Sequence, residues 1–442
     1  MVTTKKLRDL CDRICSFENL LAAYREAAKD KRFRGEVIKF SLNLEENLLK
    51  IRQDLLNQTY TCGGYREFYV HYPKPRLVMA LQFPDRIVQH AIYRQINPFI
   101  DKRFINHSYG CRKDKGTLVA ALCLLHWIQL FSRRPDAGDY VLIKGDISKY
   151  FYRVDHGKIT EIYQEFIDDP WFFWLLDVIV NNPDVPFGLP AGVDISQCPP
   201  EERLYDVGMP MGNLTSQETA NIYLDKLDRY CKHKLRIRYY IRYMDDFIII
   251  AHKDSAAAIM EDIAAYLKAE LLLDISPKSR ILPVKHGCEF VGYQVSPHGI
   301  RLRKKTTKHI KNSLLHVAEL YAVGAIDYDG AMQSINSYVG MLEHCNGYNL
   351  KRWIAENVVL KRMEEQVVSE KIAGANKRRY YSVVPQEDGT ADVYLFPDTE
   401  ENAPAGGASL YVVRGVVLWE GLETDIRRRY SDWCASAEPV GV

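Results

Sequence analysis

The feature that constrains this chain most is an apolar run broken by two aspartates, YYIRYMDDFIIIA at residues 239–251. Aromatic and β-branched residues on both sides of the acidic pair predict two strands, and the pair itself predicts a tight turn. Since both flanks are apolar enough to be core strands, the hairpin would carry Asp245 and Asp246 to the end of a buried sheet. Aspartate is also common in ordinary turns, so this pattern alone leaves a purely structural hairpin open.

Asp146 supplies a second acidic strand end, after the apolar run VLIKG in a strand that we predict over residues 140–147. Buried carboxylates repel one another and are costly to desolvate unless a cation offsets their charge. Mg²⁺ favours a few carboxylates together with substrate phosphates, and two ions held roughly 3.5–4 Å apart assist an in-line displacement. Asp146 beside the acidic turn therefore predicts a two-metal site, whereas Asp146 alone would favour a helix cap.

Two further segments contain residue types suited to a nucleotide. Phe151 lies five residues after Asp146 and could pack under a nucleotide sugar, where it would exclude a 2′-hydroxyl; ordinary core packing is the alternative. The turn GMPMGNLTSQ contains Gly212, where the backbone can approach a nucleotide closely, and Gln217, whose amide can contact base or sugar edges. A glycine-rich turn is weak on its own, but this one lies between the two acidic segments.

Periodicity and chain breakers predict the order of the elements. Thr215 and Glu218 have capping-box spacing and predict the start of a helix. Residues 181–208 form a long connection rich in Pro and Gly, of a length that is often functional or mobile. The other predicted helices cover residues 5–58, a stretch from Asp85, a stretch ending near Phe131, residues 158–180 and 255–270, and the chain beyond 301; the other predicted strands lie within 60–83, near Leu273 and at 290–295.

Charge is unevenly distributed, although 59 Lys and Arg against 57 Asp and Glu give a net charge of only +2. The near-neutral total and 47% hydrophobic residues exclude a disordered polyelectrolyte. Residues 301–380 carry 14 basic and 8 acidic residues, and residues 381–442 carry 4 and 11. The basic segment RLRKKTTKHIKN predicts contacts with nucleic-acid phosphates, or else a solvated helix face. Its candidate phosphate ligands are Arg301, Arg303, Lys304 and Lys305.

Five segments occur in the order of reverse-transcriptase motifs: DISKYF, GMPMGNLTSQETANIYLDKLD, YIRYMDDFIII, LLLDISPKSR and FVGY. The run YMDD resembles the family's YxDD box. The runs PKPRLVMALQFPDRIVQHAIY and SYGCRKDKGT resemble the fingers of bacterial enzymes related to group II introns, and the resemblance covers roughly residues 15–360. It implies an α+β, right-hand polymerase fold that makes cDNA from an RNA template.

The resemblance also implies domain boundaries. Residues 1–60 would be an N-terminal helical segment, and 61–135 the fingers. Residues 136–300 would form the palm, with an antiparallel sheet and the YMDD hairpin, and 301–378 a helical thumb. Residues 379–442 resemble no family known to us; their alternating pattern predicts a small acidic, β-rich module or a structural appendage, and IRRRYSDW a closing helix.

Site residues are carried over from the family by position. Asp146, Asp245 and Asp246 would bind two Mg²⁺ ions, replaceable by Mn²⁺, with help from the backbone of Ile147. Lys278 would protonate the leaving pyrophosphate. Phe151 would be the gate that selects deoxynucleotides. The remaining residues are Lys74, Arg76 and Arg112 on the triphosphate, and Phe290, Gly292 and Tyr293 in the primer grip.

The segment GNLTSQ departs from the family pattern QGxxxSP, since Met211 stands in place of Gln and Gln217 in place of Pro. The SQ variant resembles enzymes of diversity-generating retroelements, which make error-prone cDNA chiefly at template adenines. Expected partners are template RNA, the RNA–DNA duplex, dNTPs and a small basic accessory protein. A phage-defence enzyme with a non-coding RNA template is the alternative; a catalytically silent RNA-binding protein is the third possibility.

Cysteine usage and the terminal sequence bear on location. Ten scattered cysteines without a CxxC pair predict reduced, mostly buried thiols. The N-terminus reads as an amphipathic helix without the apolar core of a signal peptide. The longest apolar stretch, residues 118–131, is too short to span a bilayer. We therefore expect a cytoplasmic protein that is not bound to membranes.

Overall fold

A computed structural model describes residues 6–70, 76–181, 186–190, 192–193, 195–362, 380–385, 391–396 and 411–412. The chain forms two compact units that divide between Ile300 and Arg301. Helices and antiparallel sheets are mixed along the described chain, which confirms the predicted α+β class.

Four helices open the first unit, as the periodicity of residues 5–58 predicts. Ser16 caps the second of them by accepting a hydrogen bond from the Asn19 amide at 3.2 Å. Their apolar faces, with Leu20 and Leu48 fully buried, belong to the main core. The four are α1 (Leu10–Ile14), α2 (Phe17–Ala27), α3 (Gly35–Leu42) and α4 (Leu44–Leu56).

A two-stranded antiparallel sheet follows, formed by β1 (Arg66–Val70) and β2 (Arg76–Ala80). Strand β1 is exposed throughout, whereas β2 buries Leu77 and Met79. These two side chains form a second, smaller core with four residues of the long connection: Phe187, Leu189, Ile195 and Cys198. The described part of that connection is therefore packed against the β1–β2 hairpin.

The central sheet has the strand order β4-β5-β3-β6. Strand β3 (Tyr140–Asp146) lies antiparallel to both β5 (Asp246–His252) and β6 (Arg280–Pro283), and β4 (Tyr240–Tyr243) pairs with β5 across a two-residue turn. The predicted strand over 140–147 and the predicted hairpin are thus confirmed. The short strand expected near Leu273 is reduced to a single antiparallel bridge between Ile275 and Ile147; Leu273 itself is buried, and the next full strand is β6.

Helices surround this sheet and separate its strands along the chain. They are α5 (Phe83–Ile100), α6 (Thr117–Ser132), α7 (Tyr150–Arg153), α8 (His156–Gln164), α9 (Pro170–Val180), α10 (Leu214–Arg229) and α11 (Lys253–Leu271). Short 3₁₀ turns lie at Asp101–Arg103, Ala137–Asp139, Ile195–Gln197, Pro200–Glu202 and Val284–His286, and a π turn at Tyr230–Lys234 extends α10.

The capping box predicted for α10 is wrong. The helix begins at Leu214, with Asn213 at the N-cap, and both Thr215 and Glu218 lie buried inside it. The cap comes instead from α5, where Gln89 Oε1 accepts the Leu214 amide at 2.9 Å and the Thr215 amide at 3.4 Å. A side chain of α5 therefore caps α10 in place of the local capping box, because both helices pack in the same core.

A three-stranded sheet of β7 (Cys288–Phe290), β8 (Tyr293–Ser296) and β9 (Gly299–Leu302) leads to the unit boundary. The second unit contains α12 (Lys304–Ala322), α13 (Tyr328–Leu342) and α14 (Tyr348–Asn357) around a small apolar core that includes Ile310 and Leu342. In the tail, β10 (Tyr380–Pro385), β11 (Ala391–Phe396) and β12 (Tyr411–Val412) form a sheet, in keeping with the predicted β-rich module. The helix predicted at IRRRYSDW lies outside the described residues.

The β3–β5 pairing predicts a glycine requirement at residue 145. Gly145 is opposite Phe247, and a Cβ there would lie 2.0 Å from the buried ring. We expect Gly145→Ala to destabilise the protein by about 1–3 kcal/mol through overpacking. Urea denaturation measures this, with Gly138→Ala as the control because a Cβ at Gly138 meets nothing within 4 Å. Equal unfolding midpoints for the two variants would contradict the predicted packing.

Candidate active site

Three carboxylates lie at one end of the central sheet. Asp146 ends β3, Asp246 begins β5, and the two are direct partners in the antiparallel register. Residues directly opposite on paired strands project from the same face of a sheet. Asp245 occupies the β4–β5 turn, next to Asp246, so the sequence prediction of a carboxylate cluster agrees with the strand pairing.

The electrostatics of Asp245 reflect this grouping. Burial, followed by the charges of Asp246 and Asp146, raises the pKa of its carboxyl to about 6, while the guanidinium of Arg76 acts in the opposite direction. A group of carboxylates that repel one another in a desolvated position is stabilised by a cation. The residues present therefore fit a divalent metal.

The protein's side chains do not complete a metal site by themselves. Among the described residues, no group of three or more His, Cys, Asp or Glu side chains is arranged to hold a metal ion. Mg²⁺ is usually bound by one or two carboxylates and by substrate phosphates. The acidic sheet end fits a site that the phosphates of a bound nucleotide would complete.

The turn itself has a strained backbone. Met244 precedes Asp245 and adopts a left-handed φ of 54°, which non-glycine residues rarely take. Tyr243 pairs with Asp246, so only two residues connect the strands, and tight hairpin turns of this length require positive φ. The strain therefore follows from the hairpin that presents Asp245.

Arg76 and Lys74 were both predicted to contact a triphosphate. Arg76 begins β2, is exposed, and is near enough to the acidic turn to lower the pKa of Asp245. Lys74 lies outside the described residues. A cation at Arg76 beside the carboxylates is placed where a triphosphate would need charge compensation, although its nucleotide role stays a prediction.

Arg112 has a different set of contacts. Its Nε donates to Asp101 Oδ1 at 2.6 Å, its Nη1 to the carbonyls of Ile105 and Ser108, and its Nη2 to two further Asp101 oxygens. These bonds use all five N–H donors of a guanidinium. In this conformation Arg112 fixes the loop that precedes α6, and its contact with a triphosphate stays a prediction.

Phe151 lies in α7, half-buried between the main core and the second core that includes Leu77. Its carbonyl accepts the Met209 amide at 2.6 Å, which connects it to the glycine-rich turn. The ring thus lies near β2 and five residues from Asp146. This position is compatible with the predicted gate as well as with core packing.

Gly212 has a specific backbone reason to be glycine. Its φ is 114°, and a Cβ would lie 3.1 Å from Val78 Cγ1 on β2. At the next residue of β2, the Met79 amide donates to the Met211 carbonyl at 3.1 Å, so this turn is bound to the β1–β2 hairpin. Gln217 follows in the first turn of α10 and is half-buried.

Ile147 and Lys278 lie next to Asp146. Ile147 is buried and forms an isolated antiparallel bridge with Ile275. The Asp146 amide donates to Ser279 Oγ at 3.1 Å, and its carbonyl accepts the Ser276 amide at 2.7 Å. Lys278 is exposed on the turn between these serines, so the structure brings the predicted proton donor close to the Asp146 backbone.

The predicted primer-grip residues form the β7–β8 hairpin. Phe290 pairs with Tyr293 across the two-residue turn Val291-Gly292, whose φ values are 44° and 90°. Positive φ at both positions is typical of a type I′ turn. Burial raises the pKa of the neighbouring Cys288 thiol to about 12, and Asp246 contributes to that shift, which places this hairpin near the acidic sheet end.

The basic residues predicted to contact phosphates begin the second unit. Arg301, Lys304 and Lys305 are exposed, whereas Arg303 is half-buried and donates to Thr306 Oγ1 at 3.0 Å. Exposure at the start of α12 suits contacts with a polyanion. Their role stays a prediction.

Sequence reasoning missed the buried polar residues behind the acidic turn. Arg242 is fully buried in β4 and forms a two-point ion pair with Asp228 of α10, at 2.7 and 2.6 Å. The Tyr240 hydroxyl donates to the same Asp228 carboxylate at 2.6 Å. The sequence did contain a sign of this buried pair, because Arg242 lies between apolar residues of a predicted core strand. A charge at such a position needs a buried partner.

A family model described as reverse transcriptase (RNA-dependent DNA polymerase) matches residues 71–295, half of the chain. The chain therefore belongs to the reverse transcriptase family, whose members act on a nucleic-acid template and deoxynucleotides.

Two relatives are similar in sequence to about half of the chain. Protein YkfC of Escherichia coli is 25% identical over 283 residues, which cover 55% of this chain and 70% of YkfC. A Saccharomyces cerevisiae protein whose name refers to COX1/OXI3 intron 2 is 25% identical over 293 residues, covering 53% of this chain and 31% of that protein. The chain thus spans about a third of the yeast relative's length.

Within the part of the chain that the structure describes, no helix combines the length and apolarity that a membrane crossing requires. The nine described cysteines are free thiols, but only four of them are buried (Cys15, Cys198, Cys231 and Cys288), so the prediction of mostly buried thiols is wrong.

Because the three carboxylates repel one another, we expect Asp245→Asn to raise the stability of the protein without metal and to remove the stabilisation that metal gives. In EDTA at pH 7.5 the folded variant should be more stable than the native protein by about 1–2 kcal/mol, a value that allows for solvent screening. The Asp245 carboxyl has a raised pKa in the folded state, so its negative charge destabilises the fold at this pH. The neutral amide of Asn removes that charge. Millimolar Mg²⁺ with a dNTP should raise the melting temperature of the native protein but not that of the variant. Differential scanning fluorimetry measures both.

The matched control is Asp262→Asn on the exposed face of α11. It removes one negative charge far from the sheet end and should leave the ligand-induced shift unchanged. A native-like melting shift in Asp245→Asn would be evidence against a metal role for this carboxylate.

Proposed function

We propose that the protein is an active RNA-directed DNA polymerase that uses the sheet end of Asp146, Asp245 and Asp246 for nucleotidyl transfer. The observation that carries this proposal is the register of β3 and β5, which sets two acidic strand ends opposite each other beside an acidic turn. Bound Mg²⁺, or Mn²⁺ in its place, would activate a primer 3′-hydroxyl and stabilise the leaving oxygen. The three carboxylates would hold the two ions, with the Ile147 backbone assisting.

The protein's own contribution is position and charge. The Arg76 side chain, which already acts on the Asp245 carboxyl, would neutralise the triphosphate. The Phe151 ring would lie under the sugar and exclude a 2′-hydroxyl. Lys278, next to the Asp146 backbone, would donate a proton to pyrophosphate, and the β7–β8 hairpin would place the primer end.

We assign the parts of the first unit to fingers and palm, and α12–α14 to a thumb. The β1–β2 hairpin with α5 and α6 would be the fingers, and the central sheet with β7 and β8 the palm. The exposed cations at the start of α12 would contact duplex phosphates, with an affinity that falls as salt rises. This right-hand assignment rests on the family membership and on the order of the elements.

We further propose that the enzyme belongs to a diversity-generating retroelement and makes error-prone cDNA with a small basic accessory protein. Gln217 supports this, since it replaces the Pro that intron and retroviral enzymes carry. Its half-buried position in the first turn of α10 follows the Gly212 turn that is bound to β2. A template and variable repeat pair beside the gene would favour diversification; a neighbouring non-coding RNA alone would favour phage defence.

RNA-templated primer extension tests the polymerase proposal. The purified protein with Mg²⁺, an RNA template and a DNA primer should extend the primer with dNTPs, and Asp146→Asn should reduce extension at least 100-fold by disrupting metal binding. Asp262→Asn should extend normally. Extension by Asp146→Asn at the native rate would refute the assignment of this carboxylate.

Sequencing of the cDNA made in vitro tests the retroelement proposal. Substitutions should be concentrated at template adenines, and Gln217→Ala should change that excess while leaving extension on other template bases within a few-fold. An even distribution of errors over the four template bases in the native enzyme would contradict the diversifying role without affecting the polymerase assignment.

A further inference from the structure

The guanidinium of Arg242 contacts four groups, which are three side chains and one backbone carbonyl. Nε and Nη2 bind Asp228, and Nη2 also reaches Ser108 Oγ at 3.2 Å. Nη1 donates to the Met244 carbonyl at 3.1 Å and to Asn221 Oδ1 at 3.2 Å. One buried cation therefore contacts the acidic turn, the helix α10 and the loop before α6.

The same loop covers the outer edge of β4. The Arg242 amide donates to the His107 carbonyl at 2.9 Å, and the Tyr109 amide donates to the Arg242 carbonyl at 2.9 Å. Residues 107–109 thus act as a short partner strand for β4, which is the edge strand of the sheet. Movement of this loop would be transmitted to the strand that leads into the acidic turn.

Asn221 and Gly110 complete the connection. Asn221 uses both ends of one amide: Oδ1 accepts from Arg242, and Nδ2 donates to the Gly110 carbonyl at 2.7 Å. Gly110 in turn lies against the turn itself, because a Cβ there would be 2.6 Å from Met244 Sδ and 2.9 Å from the Met244 amide nitrogen. The left-handed Met244 is therefore held from its carbonyl side by Arg242 and from its amide side by Gly110.

We propose that Asn221 and Gly110 are positioning residues for Asp245, and that they couple the 107–112 loop to the metal-binding turn. A left-handed Met244 persists only where its surroundings enforce it. The buried amide of Asn221 and the close approach of Gly110 supply that enforcement. Loss of either contact lets the turn relax, so that Asp245 leaves the position it shares with Asp146 and Asp246.

Asn221 and Gly110 are better probes than Arg242. Removing one member of a buried ion pair leaves an uncompensated charge and threatens folding. Asn221→Ala and Gly110→Ala leave the Arg242–Asp228 pair in place. Thr219→Val is the matched control, since it removes a buried hydrogen bond, Thr219 Oγ1 to the Tyr163 hydroxyl at 3.0 Å, from the same helix.

The test combines hydrogen exchange with Mn²⁺ binding on the full chain. In Asn221→Ala and Gly110→Ala, amides of residues 107–112 and 240–247 should exchange at least fivefold faster together, while Thr219→Val leaves both segments unchanged. Mn²⁺ titration followed by electron paramagnetic resonance should show at least fivefold weaker binding in the two variants only. In primer extension, the Mg²⁺ concentration for half-maximal rate should rise by a similar factor.

The inference rests on the proposed metal role of Asp245, and the experiment separates the two. Absence of extension and of Mn²⁺ binding in the native protein would refute the proposed function, and hydrogen exchange would still report the coupling. Native exchange in both segments of both variants would overturn the coupling. Faster exchange with native Mn²⁺ affinity would overturn the positioning of Asp245, as would an equal loss of affinity in Thr219→Val.

Discussion

The register between β3 and β5 is the constraint on which the site depends. Apolar residues set this register, since Ile143 and Ile249 are opposite each other and fully buried. A shift of the strand pairing by one residue would turn these side chains toward the other face of the sheet and expose core residues to solvent. The same register fixes Asp146 opposite Asp246, so the core determines where the carboxylates meet.

At this end of the sheet, residues that are proposed to bind metal lower the stability of the folded protein. Burial and the two neighbouring carboxylates raise the pKa of Asp245, which means that its charged form destabilises the folded chain. The left-handed Met244 adds backbone strain next to it. The buried Arg242–Asp228 pair lies directly behind the turn, where Arg242 also donates to the Met244 carbonyl.

The sequence correctly predicted the parts of the structure that depend on the local pattern of residues. Alternating apolar residues around the acidic pair predicted the β4–β5 hairpin, and the order of motifs predicted the family. The cap of α10 was mispredicted because Gln89, 125 residues earlier, replaced the local capping box. The contacts of Arg112 show the same limit, because local pattern could not reveal that its guanidinium is surrounded by acceptors from residues 101–108.

Asp146, Asp245 and Asp246 are proposed to bind catalytic metal ions, and metal-directed cleavage of the backbone measures this directly. With Fe²⁺ in place of Mg²⁺ and with template, primer and dNTP present, added hydrogen peroxide and ascorbate generate hydroxyl radicals that cut the chain next to the bound ion. We expect cuts confined to the chain around residues 146, 245 and 278, and excess Mg²⁺ should suppress them. Cuts elsewhere, or none at these segments, would contradict the proposed metal site.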